Sequence, residues 1–466
     1  MQPSQHEIKI NPEYQSLVSD LSDEEYQLLT ESIKENGLFV PIIVNQDGVI
    51  LDGHHRYKVY QQELKQPIPQ DKIEVKHFDD PLYERLFIID INLSRRHLND
   101  YQKVKLVLMK KPTLDEIAER NSRANLLKKQ GQEEDDDEEE VVPSEEPESS
   151  LPSAKILAVG RVDDRLGEQI GVSKETIRKV EFIEEKATPE EKQKLERDEV
   201  SIDKVFQQLD GKEKLERLQQ KINSGESLTD EGIMTSLGIS IRPYAVWNFT
   251  GLDNRFGIKY PGQIPADIVF NTLYFFTKPN DLIVDFMAGG GVTGDVCNVM
   301  KRRCLMYDIN PVKGREHEII KHDITDINQQ VPEEARDAEL FFWDPPYYKR
   351  KAEEYGPNSI SALSRDEFLN TFKTVTDKLY EQTNIKKIAL LMSDYDDEEH
   401  HGHSGKENVF VWDYVNTILK SGYWRVHKHI HCPLTTQQFK PAQIDMFRKQ
   451  RKLYGLSRSL VIFYRV

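Results

Sequence analysis

Two short stretches of this 466-residue chain set its fold, LIVDFMAGGG at residues 282–291 and LFFWDPPY at residues 340–347. Each begins with an apolar run that ends in an aspartate, and the first continues into three glycines. A buried strand, a tight glycine turn and a helix start form a corner that accepts nucleotides and nucleosides. We therefore expect both stretches at the carboxyl ends of strands in an open α/β sheet, where such sheets bind ligands.

The surrounding sequence, from about residue 240 onward, alternates strand and helix patterns. This alternation is typical of a parallel sheet with helices on both faces. A strand predicted at 303–308 ends in Asp308, 23 residues after Asp285, a spacing at which a carboxylate reaches ribose hydroxyls in such folds. Other strands are predicted at 282–285, 319–324, 340–344, 388–392, 424–431 and 460–464, and helices at 266–276 and 292–300.

The glycine motif followed by D-P-P-Y resembles the amino-methyltransferases that act on DNA, over residues 240–466. The resemblance implies methyl transfer from S-adenosylmethionine (SAM) to the exocyclic N6 amine of adenine at a specific DNA sequence. One departure is that the family's D-P-F-x-G-x-G becomes DFMAGGG, so Met287 replaces the aromatic residue and the proline is lost. A second departure is the lack of a long insertion for target recognition inside the domain.

The resemblance also implies roles for the residues that match. The glycines of the loop and Gly262 would approach the amino-acid end of SAM, while Asp308 would bind the ribose and Asp323 the adenine amino group. The implied cofactor-binding residues are Asp285, Met287, Gly289, Gly290, Gly291, Asp308, Asp323 and Gly262.

The D-P-P-Y residues are the predicted catalytic group. An exocyclic amine of a base is a poor nucleophile because its lone pair is delocalised into the ring. Asp344 and the carbonyl of Pro345 can accept its two hydrogens, and Pro346 helps to hold that carbonyl in place. Tyr347 offers a ring on which the base stacks after it has left the duplex.

Residues 1–112 follow a helix–strand–turn–strand–helix pattern that resembles the ParB/sulfiredoxin fold. GHHRY at 53–57 stands where ParB domains carry G-E-R-R and sulfiredoxins G-C-H-R-Y, and INLSRRHL at 91–98 matches the E-N-I-Q-R-x-x-L box of ParB. Because His54 replaces the reactive cysteine of sulfiredoxin, sulfinic-acid reduction is excluded.

A phosphate site is predicted in this N-terminal domain, beside a helix N-terminus. It would hold a nucleotide triphosphate or a DNA phosphate on Gly53, His55, Arg56 and Arg95. The alternative is that these residues only cap and stabilise the domain.

Residues 151–222 resemble the helix-turn-helix of ParB proteins. Gly171 suits the turn and Ser173 the N-cap of the second helix, on which Thr176, Arg178 and Lys179 are expected to be exposed. A plain three-helix bundle is the alternative. Before this segment, residues 131–150 carry eleven acidic side chains and no Lys or Arg, and are predicted to be a disordered linker or insertion.

The net charge of −17 is unevenly distributed, because residues 425–458 hold eight Lys or Arg and one acid. With Phe439, Phe447 and Tyr454 among these charges, the stretch is a candidate contact for DNA. Two histidine groups suggest a metal, one at His400, His401 and His403 and one at His427, His429 and His431. A polar loop and a strand face explain them better, and no metal is expected.

The predicted fold is α/β multidomain, with an N-terminal α+β ParB/sulfiredoxin-like domain, a helix-turn-helix segment and a C-terminal Rossmann-like SAM methyltransferase domain. Three cysteines without metal spacing, no signal peptide and no apolar run of membrane-spanning length predict a soluble, cytoplasmic protein. Its expected partner is duplex DNA with a flipped base, and a homodimer stays open.

Three alternative functions also stay open. The first is methylation of cytosine N4, since the motif does not settle the base. The second is a ParB-like DNA-binding regulator whose methyltransferase domain senses SAM or is inactive. The third is methylation of RNA or protein, since D-P-P-Y also resembles the N-P-P-Y of enzymes that methylate glutamine side chains.

Overall fold

The structure, a computed structural model, describes most of the chain. The described residues are 8–18, 21, 23–94, 98–130, 167, 170–249, 251–349, 355, 359–396, 407–434, 441–451 and 458–466. Several predictions fall outside them, namely those for Arg95, the acidic stretch 131–150, His400, His401, His403, Phe439, Tyr454 and most of the first helix of the helix-turn-helix. Within the described part of the chain, no helix is both long and apolar enough to cross a membrane.

The chain divides into two compact units, Met1–Leu209 and Asp210–Val466. These units are defined by packing, and the domain limits given above stay predictions. The first unit contains α1 (Pro12–Ser16), α2 (Asp23–Asn36), β1 (Ile42–Asn45), β2 (Ile50–Asp52), α3 (His54–Lys58), β3 (Ile73–Lys76), α4 (Pro81–Leu93), α5 (Asp100–Gln130), α6 (Lys174–Lys186), α7 (Pro189–Glu196) and the start of α8 (Ile202–Asn223).

A three-stranded sheet forms the centre of the N-terminal domain. Strand β1 pairs antiparallel with β2 and parallel with β3, in the order β2-β1-β3. Strand β1 begins only at Ile42, although the apolar residues Phe39 and Val40 precede it, and both of these residues are exposed. Pro41 lies between them and the strand, and a proline has no N–H with which to extend the ladder.

Helices α6 to α8 pack around a small core, to which Tyr101 and Val104 of α5 also contribute. The N-cap of α6 is Ser173, whose side chain accepts a hydrogen bond from the Thr176 amide at 3.1 Å. The helix buries Val180 and Ile183 on one face against Leu195 of the next helix. This second helix was predicted, but its partner before Gly171 is largely outside the described residues, so the helix-turn-helix stays a prediction.

The second unit is built on a seven-stranded sheet in the order β6-β5-β4-β7-β8-β10-β9. Its strands are β4 (Leu282–Asp285), β5 (Arg303–Asp308), β6 (Ile319–Lys321), β7 (Leu340–Trp343), β8 (Lys387–Ser393), β9 (Trp424–His431) and β10 (Arg458–Arg465). Its helices are the end of α8, α9 (Asp230–Leu237), α10 (Ala266–Phe276), α11 (Val292–Val299), α12 (Arg365–Gln382), α13 (Val411–Leu419) and α14 (Pro441–Gln450).

One strand contradicts the prediction of a parallel sheet. Strand β10 runs antiparallel between β8 and β9, whereas β4 to β8 pair in parallel. The apolar pattern of 460–464 identifies a buried strand but carries no information about its direction. The segment before it, which includes α14, is long enough for either connection.

Both faces of the central strands of this sheet are buried, as predicted for a doubly wound fold. Ile283 packs into the core that contains Phe270 of α10, and Val284, the next residue, packs into the core that contains Phe372 of α12. The strand order reverses between β4 and β7, because the chain proceeds from β4 to β5 on one side and from β7 to β8 on the other. Ligands of open α/β sheets bind in the crevice at such a switch point.

Candidate active site

A cavity of about 670 Å³ opens at the carboxyl ends of β4, β5 and β7. Nearly all the residues that the sequence singles out for cofactor and catalysis line it. These are Gly262, Asp285, Met287, Gly289, Gly290, Asp308, Asp323, Asp344, Pro345, Pro346 and Tyr347. Gly291 does not line the cavity but is the N-cap of α11, with a left-handed φ of 83°.

The glycine loop is packed too closely for side chains. A Cβ atom at Gly290 would lie 2.4 Å from the carbonyl oxygen of Ile258, and one at Gly289 would lie 2.9 Å from the ring of Tyr260. The Ile258 amide also donates to the Gly290 carbonyl at 2.9 Å, which fixes the loop against the preceding chain. Because Gly289 and Gly290 line the cavity and carry no side chain, the backbone of this loop can approach a ligand closely.

Two buried carboxylates stand below this loop. Asp308 accepts hydrogen bonds from the amides of Gly289 at 3.0 Å and Asn310 at 2.8 Å, one on each oxygen. Asp285 accepts from the Met287 amide at 2.9 Å. Burial raises the pKa of both carboxyls, that of Asp285 to about 7. Each oxygen of Asp308 keeps a further lone pair, so a ligand hydroxyl can still be bound there.

Asp323 and its neighbour His322 line the same cavity. Thr325 donates both its amide, at 2.9 Å, and its hydroxyl, at 2.6 Å, to one oxygen of Asp323. The other carboxylate oxygen has no hydrogen-bond partner among the described residues. The His322 ring packs against Phe286 and Tyr307, and burial, followed by the charge of Lys378, lowers its pKa.

The D-P-P-Y residues follow a fully buried strand. Trp343 is stacked on Phe372 with 4.8 Å between ring centroids, and its indole N–H points to the Met287 sulfur at 3.4 Å. The next residue is Asp344, whose carboxylate accepts a hydrogen bond from the Tyr347 hydroxyl at 2.9 Å. Burial raises the pKa of Asp344 to about 7, although this hydrogen bond acts in the opposite direction. The site thus holds a hydrogen-bond acceptor and an aromatic ring side by side.

Four side chains at this site were missed by the sequence reasoning. Arg458 and Tyr355 line the cavity, and Tyr260 does so beneath the glycine loop. Arg315 donates to the Gly290 carbonyl at 3.0 Å and pairs with Asp295 at 2.6 Å. It therefore stabilises the glycine loop from outside the cavity. Each of the four lies outside the two motifs and is brought to the site by the tertiary fold. No local sequence pattern would have identified any of them.

The predicted phosphate site of the N-terminal domain is only partly described. Gly53 has a left-handed φ of 97° at the start of α3, and His55 lies half-buried on that helix. The Arg56 guanidinium is bound to Asp52 at 3.0 Å and to the Pro41 carbonyl at 3.1 Å. Arg95 lies outside the described residues, so phosphate binding stays a prediction.

Several polar side chains of the other singled-out segments have protein partners. Lys179 pairs with Asp203 at 2.8 Å and Glu175 at 2.7 Å, whereas Arg178 is exposed. On β9, His429 lies 2.9 Å from the Ser459 hydroxyl and His427 stacks on Tyr464 with 4.2 Å between centroids. Among the described residues, no three His, Cys, Asp or Glu side chains form a group that could hold a metal ion.

Two protein families match the chain. The family model described as DNA methylase, of the N6/N4 type, matches residues 94–316, and the model of the ParB N-terminal domain matches residues 5–90. The first match includes the glycine loop and Asp308 and ends before D-P-P-Y. A comparison with curated protein sequences gives no match.

Solved structures similar to the chain fall into two groups. A pNOB8-like ParB N-domain has 23% identity, covers 43% of this chain and 70% of its own, and has a TM-score of 0.26. A TehB-like SAM-dependent methyltransferase from Corynebacterium glutamicum has 10% identity, coverages of 55% and 98%, and a TM-score of 0.25. An rRNA methylase from Streptococcus thermophilus has 15% identity, coverages of 44% and 98%, and a TM-score of 0.25.

Proposed function

The chain combines a ParB N-terminal domain with a domain of the N6/N4 DNA methylase family, and on this premise we propose that it methylates the exocyclic N6 amine of adenine in DNA at a specific sequence. The observation that carries the proposal is the pair formed by Asp344 and Tyr347. Their hydrogen-bonded side chains line the same cavity as the glycine loop and Asp308, at the point where the strand order reverses.

The methyl donor is S-adenosylmethionine, which supplies a methyl group already activated on a sulfonium. A cavity of about 670 Å³ has the size of small-molecule sites in proteins, about 300 to 1,000 Å³. Gly290 lines the cavity without a side chain, which leaves the loop backbone open to the amino-acid end of the cofactor. Asp308 and Asp323, each with accepting capacity left on its carboxylate, would bind the ribose hydroxyls and the adenine amino group.

The residues of D-P-P-Y would hold the target amine. The Asp344 carboxylate and the Pro345 carbonyl would accept hydrogen bonds from the two N–H groups of the amine. These hydrogen bonds direct the nitrogen lone pair toward the methyl group. This is catalysis by orientation, and it needs few chemical groups. The ring of Tyr347 supports the base from its face, since a base must leave the duplex before its amine can be reached.

Basic side chains between β9 and β10 support DNA as the partner. Strand β9 ends and β10 begins at the carboxyl edge of the sheet, and α14 lies in the chain between them. Arg448 and Lys449 of this helix, and Arg451 immediately after it, are exposed. A local positive field of this kind attracts phosphates whatever the net charge of the protein.

Labelled methyl transfer tests the proposal. The purified protein is incubated with methyl-labelled SAM and unmethylated duplex DNA, and the digested nucleosides are identified. We expect N6-methyladenine in the wild type and none with Asp344→Ala. A matched control is Asp366→Ala, because the Asp366 side chain is 95% exposed, on the first turn of α12.

Three outcomes would contradict the proposal in different ways. N4-methylcytosine would leave the mechanism in place and change the base. Label in RNA or protein alone would change the substrate class. SAM binding without transfer to duplex or single-stranded DNA, RNA or protein would favour a regulator that senses SAM.

A further inference from the structure

We propose that Arg458 is a positioning residue of this active site. It keeps the Asp344 side chain in the carboxylate form, which can accept a hydrogen bond from the target amine. The role of Asp344 as acceptor rests on the proposed function. The effect of Arg458 on the charge of Asp344 does not, and it can be measured in the protein alone.

The fold brings Arg458 to the catalytic edge of the sheet. It is the first residue of β10 and pairs with Ser393, the last residue of β8. Because β10 is antiparallel to its neighbours, its beginning lies at the edge where the parallel strands end. Arg458 is only 6% exposed and lines the same cavity as Asp344.

The guanidinium is anchored at one end. Its Nε donates to the Cys432 carbonyl at 3.1 Å, and the Cys432 amide donates to the Arg458 carbonyl at 2.7 Å. Its two terminal amino groups have no acceptor among the described residues. A buried cation that is fixed in place acts on the charges of the cavity more strongly than a surface arginine does. Its terminal N–H groups can also donate hydrogen bonds to a group that enters the cavity.

The surroundings of Asp344 explain why such a cation is needed. Burial favours the protonated carboxyl, and the negative charge of Asp285 acts in the same direction. The Tyr347 hydrogen bond and the positive charge of Arg458 favour the carboxylate. Together these four influences leave the pKa of Asp344 at about 7. The other ionisable side chains that line the cavity are Tyr260, Asp308, His322, Asp323, Lys349 and Tyr355.

The protonation state decides what Asp344 can do. A carboxylate accepts hydrogen bonds only, whereas a protonated carboxyl presents an O–H toward the amine. Removal of the positive charge at Arg458 should move the titration of Asp344 upward by about one pH unit, since an opposite charge nearby shifts a carboxyl by about 1 to 3 units. The carboxylate would then be a minority form at neutral pH.

The direct test is infrared titration of the full-length protein without DNA. The C=O band of the protonated Asp344 carboxyl is identified as the band lost in Asp344→Asn. We expect its midpoint to rise by about one pH unit in Arg458→Gln and to stay near the wild-type value in Arg458→Lys. Arg458→Met is the second neutral variant, in case the glutamine variant does not fold.

A matched control removes an arginine at the other edge of the sheet. Arg303 is exposed at the start of β5, so Arg303→Gln should leave the midpoint unchanged. Equal midpoints in the wild type and in a folded neutral variant of Arg458 would overturn the proposal. This test does not depend on the proposed substrate, because the Asp344 carboxyl would still titrate in a protein that does not methylate DNA.

The pH profile of methyl transfer is the second readout. If the midpoint rises by about one unit, the rate of Arg458→Gln should fall by about eightfold at pH 6.5 and by less than twofold at pH 9. A loss of the same size at both pH values would instead make Arg458 an anchor for the substrate, and would also overturn the proposal.

Discussion

The Tyr347 hydroxyl donates a hydrogen bond to the Asp344 carboxylate, with 2.9 Å between the two oxygens. Burial raises the pKa of Tyr347 well above its usual value, so the hydroxyl remains a donor at every physiological pH. The contact couples the two tasks proposed for the motif, since the ring that supports the base also orients the acceptor of its amine.

Two substitutions of Tyr347 separate these tasks. Tyr347→Phe keeps the ring and removes a hydrogen bond worth about 1 kcal/mol, so kcat/KM for methyl transfer should fall by about fivefold. Tyr347→Ala also removes the stacking surface, worth about 1 to 3 kcal/mol per base, and should cost a further 5- to 150-fold, roughly. Equal losses in the two variants would show that the ring does not support the base.

The close packing of the glycine loop predicts that a side chain at residue 290 weakens cofactor binding. A methyl group at residue 290 must displace the Ile258 backbone, 2.4 Å away, and overpacking of this kind costs about 1 to 3 kcal/mol. Gly290→Ala should therefore weaken SAM binding about tenfold or more in isothermal titration. The matched control is Gly251→Ala, because a Cβ atom at Gly251 would meet no atom within 4 Å and Gly251 has no left-handed φ. Similar affinities in both variants would remove the loop from the cofactor site.

The sequence predicted those parts of the site that lie within one strand and its following turn. Strands 282–285, 303–308 and 424–431 were predicted with the bounds that the structure has. The first two are apolar runs that end in an aspartate, and such runs are local signals. Arg458 was not predicted as part of the site. It reaches the cavity that Asp344 lines only because β10 inserts antiparallel between β8 and β9, and strand order is a property of the whole sheet.

The buried charge of Asp285 makes a prediction about stability. Its pKa is about 7 in the folded protein and close to 4 in an unfolded chain, so between these pH values the folded state binds more protons. The free energy of unfolding must then decrease as the pH rises from about 4 to 7. Asp285→Asn should raise the thermal midpoint at pH 8 by several degrees and change it much less at pH 4.5.

Tryptophan fluorescence is the measurement for this prediction. The four tryptophans, Trp247, Trp343, Trp412 and Trp424, all belong to the second unit, so their signal reports the unit that contains Asp285. Asp366→Asn, at an exposed position, is the control. A stabilisation of equal size at both pH values would assign the effect to packing instead of charge.

A buried ion pair joins α9 to the sheet. The Arg302 side chain is fully buried, and it donates to both oxygens of Asp230 at 2.6 and 2.8 Å. Removal of one partner of such a pair leaves an uncompensated charge, which costs about 3 kcal/mol. Asp230→Asn should lower the free energy of unfolding of the second unit by about this amount in urea. The exposed pair of Asp366 with Arg365 is the comparison, and Asp366→Asn should cost less than about 0.5 kcal/mol.

The basic side chains of α14 make a prediction about salt. Each phosphate contact that a protein makes with duplex DNA contributes about 0.9 to the slope of log K against log salt concentration. Arg448→Gln combined with Lys449→Gln should therefore reduce the slope by about 1.8 and weaken binding to all sequences alike. The control is Lys278→Gln with Arg303→Gln, which removes two exposed charges from the amino-terminal edge of the sheet. If both double variants change the slope equally, DNA does not approach over α14, and the contact lies on another part of the chain.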